Sequence, residues 1–488
     1  VAQGGFSRAR YQVPFVIALA VLVTGFLSVA AVRHGYFDLA VYWGALRHWV
    51  RADGMIYDWL KPDSKYGFTY PPFAALVMYP LAYLSWRAAI AIHVTLTVLA
   101  STLLIWWLVD PMARRAGWTR WFTLAVTLCL AAAFEPMRET VNFGQVNMLL
   151  LFLVGADLLW LVAPVTPFGR RLPSRYRHFA GVGIGLATAI KLTPGIFIVY
   201  LLVTRRWRAT LVAAGTAAGA TLLAGVLAPD ASREFWTAAL WDTDRVGTLS
   251  FISNQSWQGV VARLDPEHPS RLLWLLLVVA TLAVWVWRVR PAAAAGDEVT
   301  GLALTGVVQS LVSPVTWVHH LVWLIPALIL LVDRGYAAPA RSRRRRALLG
   351  FAVVAYLILI SRLVWIWERR FDGLLGVVGS NAYVWISVAL LLVLPVRGPT
   401  LPARVDGADR GDRADRAGGG DRADRSGRPD HADRSGRLDN AGQAGGGDDR
   451  TSPAGGVDDR TDRAGGATGS VPRRPRPSPR LLEFVTGG

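Results

Sequence analysis

Apolar runs of roughly 15–23 residues, separated by short polar stretches, recur along the chain from residue 12 to residue 396. They fall at 12–32, 71–85, 87–109, 119–134, 145–163, 181–203, 209–228, 272–289, 301–332, 347–363 and 382–396. A bilayer core takes about 20 apolar residues of helix per crossing. Only a backbone that satisfies its own hydrogen bonds crosses it, which makes the helix the default form. The pattern therefore predicts an all-α, multi-pass membrane protein. The first run follows Arg8 and Arg10 and ends without a small-residue cleavage site, so it reads as a retained first helix behind a short cytoplasmic N-terminus, 1–11. Two runs are irregular. The run 181–203 carries Lys191-Leu-Thr-Pro194 at its middle, where proline removes a ladder donor. The run 301–332 is too long for one crossing and divides at Ser313-Pro314.

Composition agrees: 53% of the 488 residues are hydrophobic, and the mean hydropathy is +0.35. The net charge of +18 would suit a nucleic-acid binder, but its distribution excludes that class. Basic residues gather in short stretches between apolar runs, at 170–177, 205–208, 288–290 and 341–346, which is how cytoplasmic loops are marked. For 170–177 and 205–208 both to be cytoplasmic, 181–203 must enter and return. That puts Lys191 toward the outer side, together with 33–70, 135–144, 229–271 and 313–318. It also makes 71–109 one net crossing, with 71–85 short or re-entrant. The stretch 12–396 is then the membrane domain. Residues 397–488 form a different material, rich in Arg, Asp and Gly, with Ala-Asp-Arg-Ser-Gly-Arg at 423–428 and again at 432–437. Such a segment buries too little apolar surface to offset chain entropy and is expected to be disordered.

Candidate chemistry collects on the outer side. From Asp38 the apolar residues Leu39, Tyr42, Trp43, Leu46, Trp49 and Val50 mark one face of an amphipathic helix suited to the membrane interface. Asp38 reads either as an N-cap or as a general base; Asp58 is a second carboxylate in the same loop. The chain has three lysines, at 61, 65 and 191, all outward in this topology. Lysine serves phosphate as a point charge, and Lys191 is the sharpest candidate because it interrupts an apolar run. Arg138 precedes the helix beginning near 145, where Gln145 and Asn147 suit hydroxyl or phosphate recognition. Asp157, lower in that helix, reads as a partner for a neighbouring helix. Asn254 and Gln255 beside Trp257 offer the amides and flat face of a sugar site. His319 and His320 suit phosphate or carboxylate. The single Cys129 and the lack of HExxH or CxxC argue against a metal site, and no cofactor is expected.

Read in order, Asp38-Leu-Ala-Val-Tyr42, Tyr57-Asp58, Phe68-Thr-Tyr70-Pro-Pro-Phe73, Gly144-Gln-Val-Asn147, Ala189-Ile-Lys-Leu-Thr-Pro194, Asn254-Gln-Ser256 and Ser313-Pro-Val-Thr-Trp-Val-His-His320 resemble the DUF2029 family of actinobacterial membrane glycosyltransferases, glycosyltransferase family 87. The resemblance covers about 35–330. It implies a GT-C-type bundle of about 11–13 transmembrane helices in the plasma membrane, with its active site on the extracytoplasmic face. It implies a polyprenyl-phosphate sugar as donor, a glycolipid or lipoglycan as acceptor, and no part for nucleic acid. The transferred sugar is expected to be mannose, linked α-1,2; an arabinofuranosyltransferase of the same family is the alternative, and a lipid-linked-sugar transporter or flippase the alternative from another class. The family's catalytic Asp follows the first membrane helix, which matches Asp38 in position. Transfer would be an inverting displacement, with Lys191, Arg138, His319 and His320 on the donor phosphate. Tyr42, Tyr70, Gln145, Asn147, Asn254, Gln255 and Trp257 are the sugar and acceptor candidates.

Overall fold

The computed structural model describes residues 4–30, 34–162, 178–242, 245, 247–368 and 373–396. The tail 397–488 and the basic stretch 170–177 lie outside these. Among the described residues the helices are α1 (Gly4–Ala30), α2 (Phe37–Arg51), α3 (Pro72–Met78), α4 (Trp86–Ala116), α5 (Arg120–Ala133), α6 (Glu135–Phe143), α7 (Asn147–Val162), α8 (Val182–Ile190) and α9 (Ile196–Val203). They continue as α10 (Trp207–Leu227), α11 (Pro229–Glu234), α12 (Trp257–Leu264), α13 (Arg271–Ala294), α14 (Glu298–Val312), α15 (Ile325–Ala337), α16 (Arg343–Ile360), α17 (Gly373–Ser380) and α18 (Ala382–Val393). Helix α1 starts at Gly4, so most of the expected N-terminal arm 1–11 is already helical.

Five stretches among the described residues are long and apolar enough to span a membrane, within α1, α4, α10, α13 and the region Val318–Ala337. The bent pairs α6–α7 and α17–α18 raise the number to seven. Shorter apolar helices, α5 and α14 among them, pack between these. The outward faces are apolar: Leu211, Leu222 and Val226 of α10 are 74%, 71% and 78% exposed. Aliphatics in such a belt belong against lipid. Three arginine–carboxylate pairs, Arg115 with Asp333, Arg206 with Glu298 and Arg334 with Asp297, gather at one end of the bundle.

The run 181–203 is a hairpin of two short helices. Gly181 packs on Ala209 and Ala213, and Gly185 on Ala213 and Thr216, so α8 runs parallel to α10. Only Thr204, Arg205 and Arg206 join α9 to α10, so α8 begins and α9 ends at the arginine-rich end. A Cβ at Gly181 or Gly185 would strike α10 backbone; glycine lets the two axes approach closely. Asp157 of α7 accepts from the Gly181 and Ile184 N–H groups at 2.7 and 2.9 Å and caps α8. With nine residues, α8 rises about 14 Å, about half of a bilayer core of about 30 Å.

Candidate active site

Helix α2 opens the site. Its cap position is Tyr36, and no side chain caps it; Asp38 lies in the first turn. The N-cap reading of Asp38 is thereby corrected, because the carboxylate faces another element. Gly144 ends α6 with φ +78 and packs against Leu39 so closely that a Cβ would strike it. This approach sets Gln145 beside Asp38, and the Gln145 Nε2 donates to Asp38 Oδ2 at 2.6 Å. The other carboxylate oxygen has no hydrogen-bond partner among the described residues. Burial raises the Asp38 carboxyl from 3.8 to about 6, against the lowering effect of the Gln145 hydrogen bond.

A chain of hydrogen bonds runs from there to the tip of the hairpin. Tyr70, in the loop before α3, donates its hydroxyl to Gln145 Oε1 at 2.9 Å and accepts from the Tyr42 hydroxyl at 2.9 Å. Tyr57 fixes the loop by donating to the Tyr70 carbonyl at 2.8 Å. The Lys191 Nζ lies 3.4 Å from the Tyr70 hydroxyl, 3.1 Å from Asn147 Oδ1 and 2.9 Å from His320 Nε2. His320 accepts at Nδ1 from the Trp317 N–H at 3.2 Å. Asn147 Nδ2 and the Thr140 hydroxyl both donate to the His319 carbonyl, at 3.3 and 3.0 Å. The His319 ring is buried, and its Nε2 has no hydrogen-bond partner. No group of three or more His, Cys, Asp or Glu suited to a metal ion occurs among the described residues.

Seven predicted residues therefore meet: Asp38, Tyr42, Tyr70, Gln145, Asn147, Lys191 and His320, with His319 beside them. The others sit elsewhere. Asp58 is exposed, one residue past the buried Tyr57. Arg138 donates to the carbonyls of Ala30 and Ile360 at 3.2 and 2.9 Å, tying the ends of α1 and α16. Asn254 holds the Leu249 and Pro314 carbonyls and the Thr316 N–H. Gln255 donates to the Ile252 and Ser380 carbonyls. Trp257 is buried, with its Nε1 on the Thr281 hydroxyl at 2.8 Å. These three brace loops and offer no open sugar face. Sequence reasoning missed the pairing of Gln145 with Asp38, which are 107 residues apart and leave no local signal, and the Trp317 N–H on His320, whose local signal is the capping-box spacing of an N-cap and the side chain three residues on.

A family model described as glycosyltransferase family 87 matches residues 68–314. A polyprenol-phosphate-mannose-dependent alpha-(1-2)-phosphatidylinositol mannoside mannosyltransferase of Mycolicibacterium smegmatis is 32% identical over 387 residues, 73% of this chain and 83% of that one. The Mycobacterium tuberculosis protein of the same name is 32% identical over 69% of this chain and 78% of its own. Among solved structures, ArnT from Cupriavidus metallidurans, bound to undecaprenyl phosphate, aligns over 78% of this chain and 76% of its own, at 19% identity and a TM-score of 0.34. A likeness that distant carries no weight for the site.

Proposed function

The chain belongs to glycosyltransferase family 87, and from that premise we propose that it moves mannose from a polyprenyl-phosphate donor onto a mannosylated phosphatidylinositol lipid in α-1,2 linkage. The observation that carries this reading is the single hydrogen-bonded network joining the Asp38 carboxylate to the Lys191 amine. Asp38 takes the proton of the acceptor hydroxyl as it attacks the anomeric carbon. Lys191 and His320 receive the phosphate that leaves, where fixed donors matter most. Tyr42, Tyr70, Gln145 and Asn147 hold those groups in register. One displacement inverts the anomeric centre. The site works at the extracytoplasmic face, a placement supported by the arginines at the opposite end of the bundle.

The test uses membranes containing the protein, radiolabelled polyprenyl-phosphate-mannose and a phosphatidylinositol mannoside acceptor, with the lipid products separated. Labelled glycolipid with an α-1,2 linkage supports the reading. Transfer only from a polyprenyl-phosphate-arabinose donor would replace mannose by arabinose. The Asp58→Asn variant is expected to keep transfer within about threefold of wild type, as surface changes do; loss there, with Asp38→Asn still active, would move the base to Asp58.

The acidic limb of the pH profile gives a further check. Only the carboxylate accepts a proton, so kcat/KM should fall about tenfold per pH unit below about 6. Gln145→Met removes a hydrogen bond that favours the charged form. Hydrogen bonds to charged groups are worth about 1.5–3 kcal/mol, and one pKa unit is about 1.36 kcal/mol. The limb should therefore move to higher pH by about one to two units, measured as kcat/KM against pH. An unmoved limb would separate Gln145 from the base.

A further inference from the structure

The hydrogen bonds around Lys191 and His320 can be counted proton by proton. His320 Nδ1 accepts from the Trp317 N–H at 3.2 Å, so in the neutral ring the proton sits on Nε2. That Nε2 faces the Lys191 Nζ at 2.9 Å. An ammonium has three donors and no lone pair, and it would set donor against donor across this contact. A neutral amine has two N–H groups and one lone pair. Its two donors match Asn147 Oδ1 at 3.1 Å and the Tyr70 hydroxyl at 3.4 Å, and its lone pair matches the His320 Nε2–H. The contacts of the neutral form balance, with no donor left over.

We propose that Lys191 rests as a neutral amine held by His320 and takes up one proton when the anionic phosphodiester of the donor enters between them. The proposal rests on the reading that these two residues receive the donor phosphate. With an anion in place, the ammonium and the Nε2–H both turn from each other to phosphate oxygens, and the buried charges are paired. Chemistry then balances: the acceptor proton passes to Asp38, the C1–O bond to phosphate breaks, and the C1–O bond to the acceptor forms. The leaving phosphate gains a negative charge, which the Lys191 ammonium meets. When the polyprenyl phosphate departs, the lysine returns its proton and the amine–imidazole contact closes again. His320 stays neutral through this cycle, with its Nδ1 on the Trp317 N–H. Its other side borders a polar cavity of about 10 Å³, lined also by Asn147, Thr193, Gln309, Ser313 and Thr316. That is about the room one water needs, on the His320 side of the pair.

The other titratable groups facing the pair are Tyr70 and Tyr42, His319 on the same turn, His34 beyond it, and Asp38 through Gln145 and Tyr70. Asp38 is the rival source of any proton change, and the experiment separates the two. Calorimetric titration of the full-length protein with polyprenyl-phosphate-mannose, without acceptor, is run at pH 8 in buffers of different ionisation enthalpy. The phosphodiester has no group titrating near neutrality, so any proton taken up belongs to the protein. The expected result is close to one proton bound per donor in wild type and in Asp38→Asn. In Lys191→Arg, whose charge is permanent, binding should persist with uptake close to zero. Donor binding by wild type with no proton uptake would overturn the proposal and leave the phosphate site standing. Uptake retained in Lys191→Arg and lost in Asp38→Asn would overturn it too, by assigning the proton to Asp38. Unchanged donor affinity in Lys191→Ala would sink the phosphate reading itself.

Discussion

Asp38→Asn is expected to lower transfer by about 10²–10⁴-fold at unchanged protein level. Asparagine has almost the shape of aspartate, and its Oδ1 still accepts from the Gln145 Nε2 now donating to Asp38 Oδ2 at 2.6 Å. The contacts of α2 are therefore kept, and what is lost is the lone pair that takes the acceptor's proton. The effect should fall on kcat, with donor KM close to wild type, because the donor phosphate is held at the other end of the network. Kinetics with purified protein in lipid check this. A variant with more than a tenth of the wild-type kcat would remove Asp38 from the chemistry. A large rise in donor KM at unchanged kcat would make it a binding group instead.

Lys191→Met should cost about 10²–10³-fold in kcat/KM for the donor, the usual loss on removing one donor to a developing oxyanion. Methionine keeps the apolar stem and follows the same path, so the packing of the hairpin tip survives. The partners left behind, Asn147 Oδ1, the Tyr70 hydroxyl and His320 Nε2, can reach water in a site that opens to a substrate. Lys191→Arg should recover part of the loss, since it restores charge with a different fork of donors. Equal, small losses in Met and Arg variants would show that the lysine is structural, whereas a loss in Met restored by Arg marks a phosphate contact.

The membrane architecture was open to reading from the chain because it depends on local quantities. Run length identifies crossings, and the arginines at 205–208 tell which ends of neighbouring segments lie together. The hairpin at Lys191 follows from that arithmetic together with Pro194. The site was legible in part, for a similar reason. Asp38, Lys191 and His320 each break an apolar or amphipathic pattern, and a break is visible in one dimension. What a polar residue touches is not. Arg138 precedes a helix as a phosphate ligand would, yet its partners are carbonyls 108 and 222 residues away. Trp257 stands beside two amides, but Ser256 caps the helix that turns its ring inward, the Asn254 amide braces the turn before Thr316, and the Gln255 amide holds the Ile252 and Ser380 carbonyls. Gln145 was visible as an amide near a helix start; its effect on Asp38 appears only once Gly144 packs on Leu39.

The two halves of the hairpin, nine residues in α8 and eight in α9, are each about half of what the bilayer recognises as a span. Neither would be retained by the lipid alone, and the backbone between them, Lys191 and Leu192 leading into a single 3₁₀ turn at Thr193–Gly195, needs protein around it to pair its polar groups. The order of biogenesis follows. Helix α7, with Asp157 ready to cap α8, is made first; α10 and α14, which receive the other sides of the hairpin, are made later. The hairpin must therefore wait, partly inserted, until the chain behind it has entered the membrane. Delivery of Lys191 to Asn147 and His320 is then a closing event of synthesis, so a nascent chain halted before residue 312 would carry the base of the site without its cation in place.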